Sequence, residues 1–379
     1  MIPHIFAFED AAGFGGAYID LHHIALCLRA RGVRVTIARN HDGPYFDELR
    51  EAGVTLLEPH ARGDLAGALW RKGVPSPVRR VVFAGELAFN LGVRGSRYAL
   101  WARREGVTHV FANNGLTLSP SSMTLALALR VPLYSYIQGF PQGSRSFPVL
   151  YRVADRAFCV SAMVQRVAIE QGLPPDLTEV LYPGIHLPPP REVSHDGRVR
   201  VGMVGMLMPW KGQLQFLEAF AVVARAVPNA DAILFGRAPG PAQEAYRSEI
   251  LARIESLGLG GRVRLVEDRT RPGDIYPEVD VAVHASTDPE PFGRVVIEAM
   301  SYGCPVVAAP GGPSEVVRPG VDGFVVNPRD TAALAEHIAL LCRDAVLRQR
   351  LGESARAHAA AEYQYPTVLA PLFRAMKLE

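Results

Sequence analysis

The chain has 379 residues, of which 49% are hydrophobic and 21% charged, without a low-complexity tract. This composition excludes disorder, collagen and coiled coil, and the length predicts two domains of about 150–190 residues each. With 40 basic and 38 acidic residues, the net charge of +2 gives no global field that would recruit nucleic acid.

The first half alternates short β-rich runs with helix-length segments, which predicts βαβ units around a parallel sheet. The predicted strands are 4–8, 33–38, 54–57, 108–112, 132–137, 157–160 and 179–182. The clearest helices are 17–31 and 163–171.

A proline-rich stretch, 182–197, has the character of a linker, and the alternation restarts after it. Strands are predicted at 199–204, 231–235, 263–266, 279–284 and 305–308, and helices at 212–227, 244–257, 295–302 and 331–342. We expect two doubly wound α/β domains that face each other across a cleft, with ligands beyond the carboxyl ends of the strands.

The cysteines and the first residues bear on the compartment. Cys27, Cys159, Cys304 and Cys342 are far apart and form no metal-binding spacing, so we expect reduced thiols and no metal site. The start of the chain lacks the pattern of a signal peptide, and no apolar run approaches the ~18–20 residues that span a bilayer. We therefore expect a cytoplasmic protein, at most peripheral to the inner membrane face.

The first predicted strand runs into a glycine-rich loop. Gly15 and Gly16 precede a helix whose free N–H groups suit phosphate. A dinucleotide fingerprint is incomplete, because Tyr18 stands at the third glycine position and Arg39 is followed by Asn40 where an acidic residue would bind ribose. A tight turn is the alternative role of this loop.

The second domain offers a cation and two carboxylates. Lys211 lies in a strand-to-helix turn that is not a P-loop, where an ammonium can neutralise phosphate; a solvated loop lysine is the alternative. Glu290 and Glu298 are separated by seven residues that include Pro291 and Gly293. Such acceptors suit hydroxyl-rich ligands, one for a sugar and one for a ribose, whereas a solvated helix face is the alternative.

Four motifs of the second half resemble those of retaining family 4 glycosyltransferases in order and spacing: Lys211-Gly212, Glu290-Pro-Phe-Gly-x4-Glu298-Ala-Met, Gly311-Gly-x-x-Glu315 and Asp322-Gly-Phe-Val. The likeness implies the GT-B fold, with a Rossmann-like acceptor domain at 1–185 and a Rossmann-like donor domain at 186–362. It also implies that 363–379 is a helix that crosses back onto the first domain.

The resemblance implies a metal-independent transferase without a cofactor, whose donor is a nucleotide sugar, UDP- or GDP-linked. Lys211 would bind the diphosphate, Glu290 the donor sugar and Glu298 the ribose. The full donor site would comprise Gly15, Gly16, Gly205, Met206, Lys211, Gly236, Arg237, Val266, Glu290, Pro291, Phe292, Gly293, Arg294, Val295 and Glu298.

Retention in this family is explained by front-face attack, in which the leaving phosphate accepts the acceptor's proton. Catalysis then depends on stabilising the departing diphosphate. Lys211, Glu290 and Gln138 are the residues to which the resemblance gives catalytic roles.

The chain departs from the family pattern at two positions. Met206 replaces an arginine that helps bind the diphosphate, and Arg237 and Arg294 are candidates to replace that charge. Gln138 stands where many relatives have histidine, and it cannot take a proton at neutral pH.

Other residues extend these expectations. His284 ends its strand close in sequence to Glu290 and could touch the donor, whereas Asn113 and Asn114, with Gln138, are acceptor-side candidates or turn formers. Between residues 60 and 106 nine basic residues outnumber three acidic ones, with Trp70 and Trp101 interleaved. This patch would steer an anionic lipid-linked or phosphorylated acceptor or meet an anionic membrane; a solvated arginine face is the alternative.

Three functions remain open from the sequence. A glycosyltransferase of bacterial polysaccharide, glycolipid or natural-product glycoside synthesis leads. A nucleotide-sugar epimerase or hydrolase of the same fold, and a non-catalytic sugar-nucleotide-binding protein, are the alternatives.

Overall fold

Two parallel β-sheets, one in each unit of the chain, organise this computed structural model, which describes residues 2–9, 15–39, 45–57, 95–117, 119–141, 147–191 and 196–378, with the isolated Gly85 and Gly92. The first unit comprises Met1–Pro183 and Val368–Glu379, and the second Gly184–Thr367. The sequence predicts domain limits at 185/186 and 362/363.

The first sheet has seven parallel strands in the order β3-β2-β1-β4-β5-β6-β7. The strands are β1 (His4–Glu9), β2 (Arg34–Arg39), β3 (Thr55–Leu57), β4 (His109–Asn113), β5 (Leu133–Ile137), β6 (Arg156–Cys159) and β7 (Thr178–Val180). The helices described are α1 (Gly16–Ala30), α2 (Tyr45–Glu51), α3 (Gly95–Glu105), α4 (Pro120–Leu129), α5 (Phe147–Leu150) and α6 (Ala162–Glu170).

The first sheet is covered by helices, so β1 is buried along its whole length. Phe6 and Phe8 of this strand contact the Tyr98 ring of α3 at centroid distances of 5.4 and 5.5 Å. Glu9 and Asn113 end the neighbouring strands β1 and β4, and Gln138 follows β5. Three polar side chains therefore lie at one edge of the sheet.

The second sheet has six parallel strands in the order β10-β9-β8-β11-β12-β13. They are β8 (Val199–Val204), β9 (Ala230–Phe235), β10 (Val263–Val266), β11 (Val281–His284), β12 (Val306–Ala308) and β13 (Gly323–Val325). The helices described are α7 (Gln213–Ala226), α8 (Pro241–Ser256), α9 (Pro272–Ile275), α10 (Arg294–Ser301), α11 (Thr331–Arg343), α12 (Ala345–Glu362) and α13 (Tyr365–Val368).

The chain passes between the units twice, and the two passages run side by side. Ile185 N–H donates to Tyr363 O (2.8 Å), and Tyr365 N–H donates to Ile185 O (3.3 Å). The last helix, α14 (Ala370–Ala375), then packs on the first unit, where the Tyr134 hydroxyl donates to Ala375 O (2.7 Å). Two Rossmann-like sheets and a returning terminal helix confirm the predicted fold class.

Candidate active site

Close backbone packing brings Lys211 to the end of β11. A 3-10 turn, Pro209–Lys211, follows β8 and leads into Gly212, whose φ of 81° favours glycine. A Cβ at Gly212 would lie 1.9 Å from the backbone oxygen of Ala285. Glycine therefore lets this turn meet the segment just after β11, where Thr287 N–H donates to Trp210 O (2.8 Å).

Three donors surround the Glu290 carboxylate. Lys211 Nζ lies 2.7 Å from Oε1, while His284 Nε2 lies 2.6 Å and Ser286 Oγ 2.8 Å from Oε2. The Glu290 side chain is 13% exposed. Burial raises its pKa, but the hydrogen bond from His284 and the ammonium of Lys211 outweigh burial and hold the pKa well below the ordinary value. Glu290 is thus a buried, ionised carboxylate.

The second glutamate lies on α10. Glu298 is 14% exposed, and its Oε1 lies 3.5 Å from Arg294 Nε. The buried Tyr276 hydroxyl donates to Val295 O (2.9 Å) and lies 3.5 Å from Glu298 Oε2. Burial raises the pKa of Glu298, because these partners compensate only in part.

The Pro291-Phe292-Gly293 segment packs on the Gly311-Gly312 turn. A Cβ on Gly312 would lie 2.2 Å from Pro291 O, and Gly312 N–H donates to Glu290 O (3.0 Å). Gly293 has a φ of 82° and caps α10. Phe292 is buried. These glycines fix the backbone next to Glu290 and place Arg294 and Val295 in the first turn of α10.

The ends of β8, β9 and β10 also meet. Gly236 N–H donates to Val266 O (3.0 Å), and Gly205 N–H donates to Phe235 O (2.9 Å). A Cβ on Gly236 would lie 2.2 Å from Gly205 O, so this position requires glycine. The predicted residues Gly205, Gly236 and Val266 are therefore neighbours at one sheet edge.

Arg237 and Arg294, the candidates to replace the positive charge missing at Met206, lie in different surroundings. Met206 is 39% exposed. Arg294 lies against Glu298 and donates to Gly184 O (3.3 Å), so its guanidinium is engaged within the domain. Arg237 is exposed, and its backbone oxygen accepts from Leu207 N–H (3.1 Å).

A buried carboxylate organises the amides of the first unit. Glu9 is fully buried and accepts from the Nδ2 groups of Asn113 and of Asn114, the latter at 3.2 Å. Asn113 Nδ2 also donates to Ala17 O (3.0 Å), and Gln138 Nε2 donates to Asn113 Oδ1 (2.5 Å). Because a carboxylate only accepts, this network fixes which way each amide points. The structure brings together all three predicted acceptor-side residues.

Gly15 and Gly16 begin the first helix of that unit. Gly15 caps α1, and a Cβ there would meet no atom within 4 Å. Residues 10–14 of the predicted loop, and Asn40 after the second strand, lie outside the described residues.

Two members of these clusters were missed from the sequence. Glu9 ends β1, and its position at a strand terminus beside Asn113 was the available signal. Ser286, two residues after β11, carries no signal in sequence that separates it from an ordinary loop serine.

The predicted basic patch is described only in part. Arg97, Arg103 and Arg104 lie exposed on α3 together with Leu100. The ring centroid of Trp101 instead lies 5.7 Å from that of Phe6 in the core, because the ring faces inward from α3. The predicted place of Trp101 within the patch is therefore wrong. The remaining predicted members lie outside the described residues: Arg62, Trp70, Arg71, Lys72, Arg79, Arg80 and Arg94.

Within the described ranges, no helix is both long and apolar enough to span a bilayer. The same ranges bring together no group of three His, Cys, Asp or Glu side chains able to hold a metal ion.

Two family models match the chain, one for each half. The model for Glycosyltransferase Family 4 matches residues 14–187, and the model for Glycosyl transferases group 1 matches residues 189–358. A crystal structure of Anabaena HepE in complex with UDP and glucose is similar, with a TM-score of 0.81 and 25% identity over 99% of each chain. The chain therefore has the GT-B fold, and each half of it matches a glycosyltransferase family model.

The chain is also similar to curated glycosyltransferases. It is 26% identical to a phosphatidyl-myo-inositol mannosyltransferase of Mycobacterium leprae, over 95% of this chain and 92% of that protein. It is 34% identical to a D-inositol 3-phosphate glycosyltransferase of Corynebacterium efficiens, but that match covers 42% of this chain and 38% of the relative. The chain thus spans well under half the length of several curated relatives.

Proposed function

We propose that this chain transfers a hexosyl group from a nucleotide sugar to an acceptor hydroxyl, with retention of anomeric configuration and without a metal ion. The observation that carries the proposal is the buried Lys211–Glu290 pair at the end of β11, with Glu298 on the adjoining helix. Together they supply one cation for a diphosphate and two carboxylates for hydroxyl groups.

In the proposed donor complex, Lys211 and the backbone N–H groups of Arg294 and Val295 bind the diphosphate. Glu290 accepts hydrogen bonds from the sugar hydroxyls, and the backbone N–H groups of Phe292 and Gly293 donate hydrogen bonds to them. Glu298 accepts from the ribose hydroxyls. The base lies at the sheet edge formed by Gly205, Gly236 and Val266, next to Met206 and Arg237.

The uridine nucleotide is the preferred donor class, because HepE, at 25–26% identity, is known in complexes with UDP and with UDP-glucose. A GDP-sugar is the second expectation. The mannosyltransferase relative supports hexosyl transfer and a lipid-linked or carbohydrate acceptor.

In the proposed step the bond between the anomeric carbon and the phosphate oxygen breaks while the acceptor oxygen bonds to the same face of that carbon. The acceptor's proton passes to the leaving phosphate oxygen, so no separate base is required. Negative charge develops on the diphosphate, where a preorganised cation and helix N–H groups stabilise the transition state most effectively. Gln138, Asn113 and Asn114 would hold the acceptor hydroxyl through hydrogen bonds.

The test is product analysis with UDP-glucose, UDP-galactose and GDP-mannose against a panel of lipid and saccharide acceptors. Transfer that survives chelation by EDTA and gives the donor's anomeric configuration by NMR supports the proposal. Free sugar or an epimerised nucleotide sugar, formed with or without acceptor, would favour the hydrolase or epimerase. Nucleotide binding without turnover would favour the non-catalytic protein.

Exposed residues of the first unit support peripheral contact with an anionic membrane. Leu100 of α3 is 69% exposed and Leu127 of α4 is 63% exposed, and Arg97, Arg103 and Arg104 share the outer face of α3 with Leu100. An apolar centre with a basic rim is the arrangement that binds acidic lipid headgroups.

Cosedimentation with vesicles of phosphatidylglycerol and phosphatidylcholine tests this contact. We expect binding that falls with salt and is lost in Arg103→Glu/Arg104→Glu, while Arg225→Glu on α7 keeps it. Equal binding by all three proteins, or none to anionic vesicles, would refute the membrane contact.

A further inference from the structure

The two oxygens of Glu290 have partners of different kinds. Oε2 accepts from His284 Nε2 (2.6 Å) and from Ser286 Oγ (2.8 Å), which themselves lie 3.1 Å apart. Oε1 accepts from Lys211 Nζ (2.7 Å). One edge of the carboxylate is thus held by two short side chains and the other by a single long one.

The partners of Oε2 are fixed by the sheet. His284 is the last residue of β11 and pairs in register with Ala308, and its backbone oxygen accepts from Ala309 N–H (2.8 Å). His284 and Ser286 are 5% and 4% exposed. Neither side chain can leave Oε2 without disturbing the end of the strand, since both are short and enclosed.

Lys211, the partner of Oε1, has a longer and more exposed side chain than the partners of Oε2. Lys211 has a four-carbon stem with several rotatable bonds, and its side chain is 17% exposed. Its Nζ also lies 4.2 Å from the centre of the Trp210 ring, on the side of the loop that follows β8. A small rotation of the stem therefore moves the ammonium from the carboxylate without any change in the backbone.

We propose that His284 and Ser286 are positioning residues that hold Glu290 through Oε2, and that Lys211 pairs with Oε1 only until the donor binds. Lys211 then moves to the donor diphosphate, and Oε1 accepts a hydrogen bond from a sugar hydroxyl. The proposal rests on the donor site proposed above. Beyond that site, it assigns Oε1 as the oxygen that binds the sugar hydroxyl, and His284 and Ser286 as the residues that keep the carboxylate in place.

The exchange leaves both oxygens of Glu290 hydrogen-bonded and the Lys211 ammonium paired with an anion at every stage. Before binding, Lys211 neutralises Glu290, which would otherwise be a buried carboxylate paired only with His284 and Ser286. After binding, Lys211 pairs with phosphate, and Oε1 accepts a hydrogen bond from a hydroxyl while Oε2 keeps its two donors. A free sugar brings no anion to attract Lys211, so the sugar alone is not bound.

The test separates recognition of the diphosphate from recognition of the sugar. Isothermal titration compares UDP with UDP-glucose in the wild type, Ser286→Ala, His284→Phe and the conservative His284→Gln. His284→Gln keeps an N–H donor near the position of Nε2. His337→Phe on α11, whose ring nitrogen contacts Ala333 O at 2.9 Å, is the matched control for loss of a histidine in the same domain.

We expect His284→Phe to weaken the binding of UDP-glucose roughly ten-fold while the affinity for UDP stays within about two-fold. The reason is that only sugar recognition depends on the position of the Glu290 carboxylate. Ser286→Ala has the same pattern with a smaller loss, and His284→Gln recovers most of it. Equal losses for UDP and UDP-glucose would overturn the proposal, as would unchanged affinity for both ligands in every variant.

A second measurement does not require any donor. Glutamate labelled with 13C at the side-chain carboxyl reports the titration of Glu290 by NMR, with Glu290→Gln identifying its signal. We expect the carboxylate to titrate at higher pH in His284→Phe/Ser286→Ala than in the wild type, and an unchanged titration would overturn the positioning role. If the wild type binds neither UDP nor UDP-glucose, the proposed uridine donor is refuted. The NMR titration still decides whether His284 and Ser286 hold Glu290 through Oε2.

Discussion

Lys211 Nζ lies 2.7 Å from Glu290 Oε1, although the two residues are 79 positions apart in the chain. The contact joins the loop after β8 to the loop after β11, two neighbouring strands of the second sheet. It concentrates a cation and an ionised carboxylate at the edge where parallel sheets bind ligands.

Replacement of Gly212 by alanine tests the close approach that creates this contact. The added Cβ would meet Ala285 O at 1.9 Å in a backbone whose φ is 81°. We expect Gly212→Ala to lower the free energy of unfolding by more than about 2 kcal/mol, because both the clash and the left-handed conformation are unfavourable. Urea unfolding measures the change.

Gly258→Ala is the control for that experiment. Gly258 has a similar φ of 69°, but nothing lies within 4 Å of an added Cβ. It should cost about 1–2 kcal/mol from backbone conformation alone. Equal losses of unfolding free energy at the two positions would show that the backbone of Ala285 shifts to accommodate the added methyl group.

Met206→Arg restores the arginine that the family pattern has at this position. Met206 is 39% exposed, so a longer side chain has room in the solvent. A new charge-assisted hydrogen bond to the diphosphate should tighten nucleotide binding about ten-fold. Val222→Arg, at a 42% exposed position of α7, controls for a general effect of added charge. Equal gains from the two variants would argue against a diphosphate beside Met206.

The Asp322-Gly-Phe-Val motif has a structural role that predicts a pH dependence. Asp322 is fully buried, and its Oδ2 lies 2.6 Å from Arg318 Nε and 2.9 Å from His358 Nδ1. Burial raises its pKa, but the hydrogen bonds from His358 and Arg318 outweigh burial and lower it. The stabilisation is therefore present above the unfolded-state pKa of about 3.9 and is lost as the pH falls below it.

Asp322→Asn should accordingly cost about 3 kcal/mol at pH 7, since it leaves Arg318 and His358 without their charged partner. The difference from the wild type should shrink as the pH is lowered towards 3. Asp268→Asn, at an exposed position, should show no such trend. Denaturant unfolding across pH decides the point, and a constant difference at all pH values would refute it.

A charge exchange tests the buried network of the first unit. Asn113→Asp places a second carboxylate against Glu9, where both side chains are fully buried, and should cost about 3–5 kcal/mol. Adding Glu9→Gln supplies a donor again and should recover most of this loss. Unfolding of the single and double variants gives the coupling energy. A double variant no more stable than Asn113→Asp would show that the two side chains do not interact as described.

Much of the framework was predictable because parallel strands are short apolar runs between helices. The strand at 199–204 was predicted with its observed limits, and that at 263–266 likewise. Helix α12 was not predicted, because its buried residues include Gly352, Ala355 and Ala359, which give a weak hydrophobic pattern. Helix α4 was missed since it is apolar on most of its circumference, so no single face stands out.

The candidate site was predictable to the level of strand ends and no further. Lys211 and Glu290 were assigned to one ligand from motif spacing, but their direct contact depends on the approach of Gly212 to Ala285, which sequence does not reveal. Glu9 was passed over because one carboxylate at a strand end has no pattern of its own. Its role emerges only when β4 places Asn113 beside it.

The most direct test of the donor site is calorimetric titration of UDP, GDP, ADP and dTDP, and of their sugars, into the wild type, Lys211→Ala and Glu298→Ala. Lys377→Ala, at an exposed position of the first unit, and Glu255→Ala, at an exposed position of α8, are the matched controls. The account predicts micromolar binding of one nucleotide, weakened ten- to a hundred-fold by Lys211→Ala, lowered also by Glu298→Ala, and unchanged in both controls. Binding of no nucleotide by the wild type, or binding that is indifferent to Lys211 and Glu298, would contradict it.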